Sequence, residues 1–252
     1  MRAPSAPEPT GDTVRAGARD RADSGGGLLG KPVKRKEDAA LLTGRGRYTD
    51  DLPAPPGTLA AHVLRSPHAH AVIRSIDASA ALALPGVVAV VTGEDIRNMS
   101  DPFLVAVKAP IPQWSLAVGR VRYVGEPVAV VVASDRYIAE DAAILVDIEY
   151  DLLPAIVDLQ QAVAPGAPLV HEAAGSNEIG VRHFHYGDPD GAFAKADKTV
   201  KLTVEYPRNS FTPLECFVVV AEYRPFEQLY DVLSNFQGPF SAHPVMARAL
   251  RI

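Results

Sequence analysis

The sequence predicts a mixed α/β protein. Three observations carry this. Two β-branched apolar runs, 87–92 and 128–133, have strand length and no polar face, as strands buried on both sides do. Short segments of helical period lie between the strand-like runs, one of them opened by Ser134-Asp135, a capping pair. Residues 147–151 alternate polar and apolar, the pattern of a half-exposed strand.

Taken in order, residues 1–27 are rich in Ala, Pro, Gly, Arg and Asp with almost no large apolar residue, and read as a disordered tail. Residues 37–42 suit one or two helical turns, ended by Thr43-Gly44. Strands follow at 59–66 and 71–76, with Pro67-His68-Ala69-His70 between them. Asp77 or Ser79 can cap a short helix over 80–84, and Pro85-Gly86 turns the chain into the strand 87–92. Thr92-Gly93-Glu94-Asp95-Ile96 opens another helical turn. Residues 100–119 lack periodicity, carry Pro102, Pro110 and Pro112, and form a long loop that the only tryptophan, Trp114, packs down.

The second half of 121–133 is a buried strand, and Ser134-Asp135 caps a helix over 136–146 with Ile138, Ala142 and Leu145 on one face. Residues 153–158 continue extended after the strand at 147–151. This predicts one domain over 28–158, a linker at 159–180 containing Pro165-Gly166-Ala167-Pro168, and a second unit over 181–252. In that unit, 181–186 and 198–206 read as strands, with a turn at 187–190 and a short helix at 191–196 between them. A hairpin follows, with strands 214–223 and 229–237 and a turn at 224–227, and then a helix over 241–251. The first hairpin strand is so rich in β-branched and aromatic residues that burial on both faces is expected. Gly238-Pro239 closes the second strand, which puts Gln237 at its tip. A carboxamide there offers two donors and an acceptor that does not titrate.

Composition narrows the function. The chain has 252 residues, 47% of them hydrophobic and 22% charged, and a net charge of -5, ordinary for a soluble globular protein. There is no basic stripe, so nucleic acid is not an expected partner. No apolar run is long enough for a membrane span, and the N-terminus lacks the apolar stretch of a secretory signal. A single cysteine, Cys216, excludes an internal disulfide or an all-cysteine metal site, and its apolar neighbours read as core. These features fit the cytoplasm.

Self-contained chemistry is missing. His68 with His70, and His183 with His185, have the spacing of paired strand ligands, but no cysteine or carboxylate completes a zinc set, and they read as surface or interface residues. The basic run from Lys31 to Lys36 reads as a solvated face. There is no dinucleotide fingerprint, phosphate loop, nucleophile elbow or calcium loop. Glu126 and Glu215 are the acids expected to be desolvated, as hydrogen-bonded struts.

Several runs together resemble a known family. They are Gly44-Arg45-Gly46-Arg47-Tyr48-Thr49-Asp50-Asp51-Leu52, Arg65-Ser66-Pro67-His68-Ala69-His70-Ala71, Pro85-Gly86-Val87-Val88-Ala89-Val90, Val124-Gly125-Glu126-Pro127-Val128-Ala129, Ala139-Glu140-Asp141-Ala142-Ala143 and Gly187-Asp188-Pro189-Asp190-Gly191-Ala192-Phe193. In this order and spacing the chain resembles the N-terminal part of the molybdopterin-binding large subunit of the xanthine dehydrogenase/aldehyde oxidase family. Thr212-Pro213-Leu214-Glu215-Cys216 looks closest to the bacterial branch that includes the carbon monoxide dehydrogenase large chain.

The resemblance implies an α/β-hammerhead domain followed by the first portion of a molybdenum-cofactor-binding domain. It implies hydroxylation of an aldehyde or N-heterocycle with oxygen from water, and electron flow through [2Fe–2S] clusters to FAD on partner subunits. Gln237 matches a family glutamine that hydrogen-bonds an oxo ligand of molybdenum, and Glu215 matches a family glutamate near the same hairpin, expected at most one layer behind the metal's own ligands. The family's catalytic base and cofactor loop have no counterpart in this chain, so no catalytic residue is expected here and the cofactor would be shared with a second chain. The expected function is that of one portion of a split large subunit; the alternatives are an assembly scaffold that keeps only the hammerhead, or a truncated gene product.

Overall fold

The computed structural model describes residues 28–104, 110–210 and 212–252. The expected tail at 1–27 and the middle of the 100–119 loop lie outside the described residues. The chain forms two units, divided between Arg47 and Tyr48. In the first, helix α1 (Asp38–Leu42) ends as expected at Thr43, whose hydroxyl donates to Ala39 O at 2.7 Å, and Gly44 takes the left-handed conformation that follows a helix end, φ 67°.

The second unit contains β1 (Ala60–Arg65), β2 (Ala71–Asp77), α2 (Ser79–Leu82), β3 (Val87–Thr92), α3 (Gly93–Met99), β4 (Arg120–Val121), β5 (Pro127–Ala133), α4 (Arg136–Ile144) and β6 (Asp147–Leu152). Two antiparallel three-stranded sheets result, in the orders β1-β5-β3 and β4-β2-β6. The apolar run of β5 serves both sides of its sheet, because successive side chains point to opposite faces. Val131 packs with Ala81, Ala142, Ala143 and Val146 beneath the helices, whereas Val128 packs with Ala71, Ala117 and Val121 against the second sheet. Both valines are completely buried.

Caps fall where short polar side chains precede helical runs. Asp77 accepts from Ser79 N at 2.9 Å, Asp135 accepts from Tyr137 N and Ile138 N, and Thr92 and Asp95 form a reciprocal capping box. The buried face of α4 is Ala139, Ala142 and Ala143, continued by Val146, whereas Leu145 of the expected face stays 41% exposed. The small alanines let this helix lie close on the sheet, which turns the bulkier Leu145 outward.

Beyond β6 the structure corrects the sequence reading in several places. The extended run expected at 153–158 carries no strand past Leu152, and the linker holds a one-turn helix, α5 (Leu159–Ala162). Helix α6 (Pro189–Ala194) is capped by Asp188 and precedes the hairpin of β7 (Val219–Arg224) and β8 (Leu229–Ser234) and helix α7 (Pro239–Ala249). The expected strands at 181–186 and 198–206 have no ladder among the described residues, and Val200, Leu202, Val204 and Tyr206 are exposed. Alternation favours extended backbone, but a strand needs a neighbour to bond to. For the same reason β7, with only β8 beside it among the described residues, is largely exposed rather than buried on both faces, and Cys216 just before it is exposed instead of lying in a core.

Two fastenings hold the later segments. Asn177 gathers the linker by accepting from Val170 N and donating to Ala162 O and Pro168 O, each at 2.9 Å. At the end of α7, Ala249 O accepts from Asp101 N at 2.8 Å, and Arg251 donates to Asp101, Asn98 O and Ser100 O.

Candidate functional site

The base of the β7–β8 hairpin is the candidate site, and its geometry follows from where the ladder stops. The last strand pair is Val219 with Ser234. Past it, Asn235 bridges the two chains, accepting from Val218 N at 3.2 Å and donating to Cys216 O at 2.8 Å. Phe217 and Phe236 meet edge to face at 6.3 Å.

Gln237 therefore does not end a strand, as the sequence reading had it. It lies three residues past the end of β8, in the connection to α7. Its side chain is exposed, and its amide makes no hydrogen bond among the described residues. Glu215 precedes β7 rather than entering a buried strand, and its Oε1 accepts from Thr49 N at 2.8 Å. That backbone bond and the Thr49 side chain hold the carboxyl below its ordinary range against an opposing burial effect, with a lesser contribution from the nearby Asn235 amide. Glu215 is thus the hydrogen-bonded strut the sequence suggested, though not a desolvated one. Sequence reasoning missed Asn235 and Thr49. An asparagine directly after an alternating run was the available signal for the first, since its amide can imitate a backbone rung.

A second polar cluster sits in the sheets. His70, 7% exposed, donates from Nδ1 to Pro154 O at 2.9 Å, and its Nε2 has no partner among the described residues. Glu126 accepts from Arg122 N, and burial pushes its carboxyl up, as expected of a desolvated acid. Arg122 reaches Val170 O at 3.2 Å, and Arg120 pairs with Glu172 at 2.9 Å, so the cluster stitches the linker to β4. Burial, Arg122 and His70 together push the His171 imidazole down. His68 instead packs edge-on against Tyr150 at 4.9 Å, and His183 and His185 are exposed. Among the described residues no group of three or more His, Cys, Asp or Glu could hold a metal ion. Two cavities, of about 280 and 330 Å³, are lined by residues of 73–119 and 162–178 and take nothing from the hairpin. Gln237 is thus exposed in the connection between β8 and α7.

Comparison with known proteins decides what that segment belongs to. Residues 43–154 match the a/b hammerhead domain of aldehyde oxidase and xanthine dehydrogenase, and residues 170–252 match the molybdopterin cofactor-binding domain. The chain belongs to the xanthine dehydrogenase/aldehyde oxidase family. It corresponds to the N-terminal part of the molybdopterin-binding large subunit, and its α/β architecture is the hammerhead followed by the start of a cofactor-binding domain. The carbon monoxide dehydrogenase large chain of Afipia carboxidovorans is 36% identical over 93% of this chain and 30% of its own length. The nicotine 6-hydroxylase large subunit of Paenarthrobacter nicotinovorans is 38% identical over 84% of this chain and 26% of its own length. The crystal structure of quinoline 2-oxidoreductase from Pseudomonas putida 86 superposes with a TM-score of 0.76 at 37% identity, over 87% of this chain and 28% of that one. The chain thus spans under a third of the length of these family members.

The family's cofactor can be tested against the hairpin edge. An exposed, neutral amide free of internal partners among the described residues, on a segment fixed by Asn235, fits the donor that an anionic metal–oxygen group accepts from. Among the described residues, no helix is long and apolar enough to cross a membrane.

Proposed function

We propose that this chain forms the hammerhead domain and one wall of the cofactor site of a molybdenum hydroxylase. The enzyme would oxidise an aldehyde, an N-heterocycle or a similar small molecule with oxygen drawn from water. The observation that carries the reading is the match of 170–252 to the molybdopterin cofactor-binding domain, with the amide of Gln237 presented from that same segment. The similarity to a nicotine 6-hydroxylase and a quinoline 2-oxidoreductase supports the N-heterocycle end of the range.

The molybdenum–molybdopterin cofactor supplies the redox chemistry when bound. Gln237 would donate a hydrogen bond to an oxo ligand of the metal, orienting the cofactor without adding charge. Glu215 would act behind it, bracing the hairpin base through Thr49. The base that activates the nucleophile would come from the remaining part of the molybdopterin subunit, which closes the other side of the cofactor. Electrons would pass to [2Fe–2S] clusters and FAD on partner subunits, in the cytoplasm. The division into a domain at 28–158, a linker at 159–180 and a partial cofactor domain at 181–252 belongs to this reading.

The test is co-expression with the rest of the large subunit and its iron–sulfur and flavin partners. Replacing Gln237 by Ala should lower turnover roughly 10- to 100-fold, with assembly and molybdenum content kept. Turnover equal to that of the native complex would favour a scaffold that uses the hammerhead for protein contacts alone.

A further inference from the structure

Gln237 makes no hydrogen bond of its own among the described residues, so something else must decide where its amide points. The backbone ladder cannot, because it ends at Val219 and Ser234. The next residue on each side of that last pair is Val218 and Asn235, and there a side chain takes over from the backbone. The carboxamide of Asn235 accepts from Val218 N and donates to Cys216 O. A group that accepts with one atom and donates with another reproduces a peptide unit and adds one rung to the sheet. Phe236 N donates to Ser234 Oγ at 3.2 Å, and the Phe236 ring packs on Phe217, so the next residue is held as well. On the far side, Gly238 O accepts from Ser241 N at 3.0 Å and Ala242 N at 2.9 Å, which begins α7. Gln237 is thus suspended between a side-chain rung and a helix start.

We propose that Asn235 is a positioning residue for Gln237, fixing the direction from which that amide approaches its ligand. The proposal rests on the reading of Gln237 given above. It explains an asparagine at 235. Aspartate has the same shape but cannot donate to Cys216 O, and would add charge beside Glu215, whose carboxyl already senses the Asn235 amide. Alanine has neither function.

The experiment compares Asn235→Ala, Asn235→Asp, Gln237→Ala and the double variant Asn235→Ala with Gln237→Ala, all in the assembled, cofactor-loaded complex. Turnover, KM, molybdenum content, the electron paramagnetic resonance of the metal and hydrogen exchange at 216–218 are measured. Asn235→Ala should speed exchange of the Val218 amide, whereas Asn235→Asp, which keeps an acceptor for it, should leave that exchange slow; both should alter the resonance and lower kcat about tenfold, a loss typical of a slightly misplaced group. KM and molybdenum content should stay as in the native complex. The double variant should be no slower than Gln237→Ala alone, because Asn235 acts only through Gln237. Multiplying losses in the double variant, or native turnover and resonance in Asn235→Asp while Gln237→Ala is slow, would overturn the role of Asn235 and leave that of Gln237 standing. Native turnover in Gln237→Ala would remove the parent reading, and this one with it.

Discussion

Replacing Gly93 by Ala tests the packing of the hammerhead in a single atom. Gly93 opens α3, and a Cβ built on it would lie 1.9 Å from Ala117 O and 2.7 Å from the Ala117 carbonyl carbon. Its φ is not in the left-handed region, so glycine is required by space and not by backbone conformation. The obstructing atom is backbone and cannot rotate away. Ala117 is itself 5% exposed, and its N–H donates to Pro127 O at 2.8 Å, while nearby Gly119 O accepts from Ile73 N at 3.0 Å. Separating the helix from this loop weakens both bonds, each worth about 1 kcal/mol net when intact, by about half, so that about 1 kcal/mol is lost between them, and overpacking adds about 1–3 kcal/mol. A net loss of about 2–4 kcal/mol follows. With a slope near 2 kcal/mol per M, the urea midpoint should fall by about 1–2 M. Fluorescence of Trp114, half-buried three residues before Ala117, reports the transition. A midpoint equal to that of the native chain would show that α3 and the 117–119 loop do not approach as described.

Three further outcomes are expected. Asp135→Ala should cost about 1 kcal/mol in the same assay, because two N–H groups of α4, on Tyr137 and Ile138, lose their acceptor; no change would refute the cap. His171 is held below the usual imidazole range, so its contribution to stability is complete above the unfolded value near 6.5 and is lost as pH falls from there through the depressed folded value. Arg122 and His70 face it, and Glu126, pushed up by burial, acts in the opposite sense, gaining stability as pH falls through its raised value. His171→Gln should therefore flatten the loss of urea stability between pH 7 and pH 5, and an unchanged slope would exclude His171 as its source. Glu215 is held down by Thr49 N, so its bracing is present above the ordinary carboxylate range and lost as pH falls through the lowered folded value. Hydrogen exchange at Thr49 should accelerate in Glu215→Gln far less than in Glu215→Ala, and equal acceleration in both would refute the bracing role.

The hammerhead was legible in the sequence because its signals are local. Residues 128–133 have nowhere to go but a core, and Asp135 sits where a helix must begin, whereas Val87–Thr92 forms the expected strand at a sheet edge and leaves Val88 57% exposed, not buried on both faces. The face of α4 was misjudged because periodicity ranks Leu145 above alanine, whereas close packing against the sheet selects Ala139 and Ala143. Residues 181–252 were harder. The patterns at 181–186 and 198–206 describe side chains suited to a sheet but cannot supply the neighbouring strand, and the described residues provide none. Gln237 was expected at the tip of the second hairpin strand, but the ladder stops at Ser234, and the rung made by Asn235 depends on a cross-strand contact that one strand's sequence does not contain.

The most direct measurement of the central claim is electron–nuclear double resonance on the paramagnetic molybdenum of the assembled complex, in water and in heavy water, for the native chain and for Gln237→Ala. An exchangeable-proton coupling from the Gln237 amide should be present in the native complex and missing from the variant. Identical exchangeable-proton spectra in the two would contradict it.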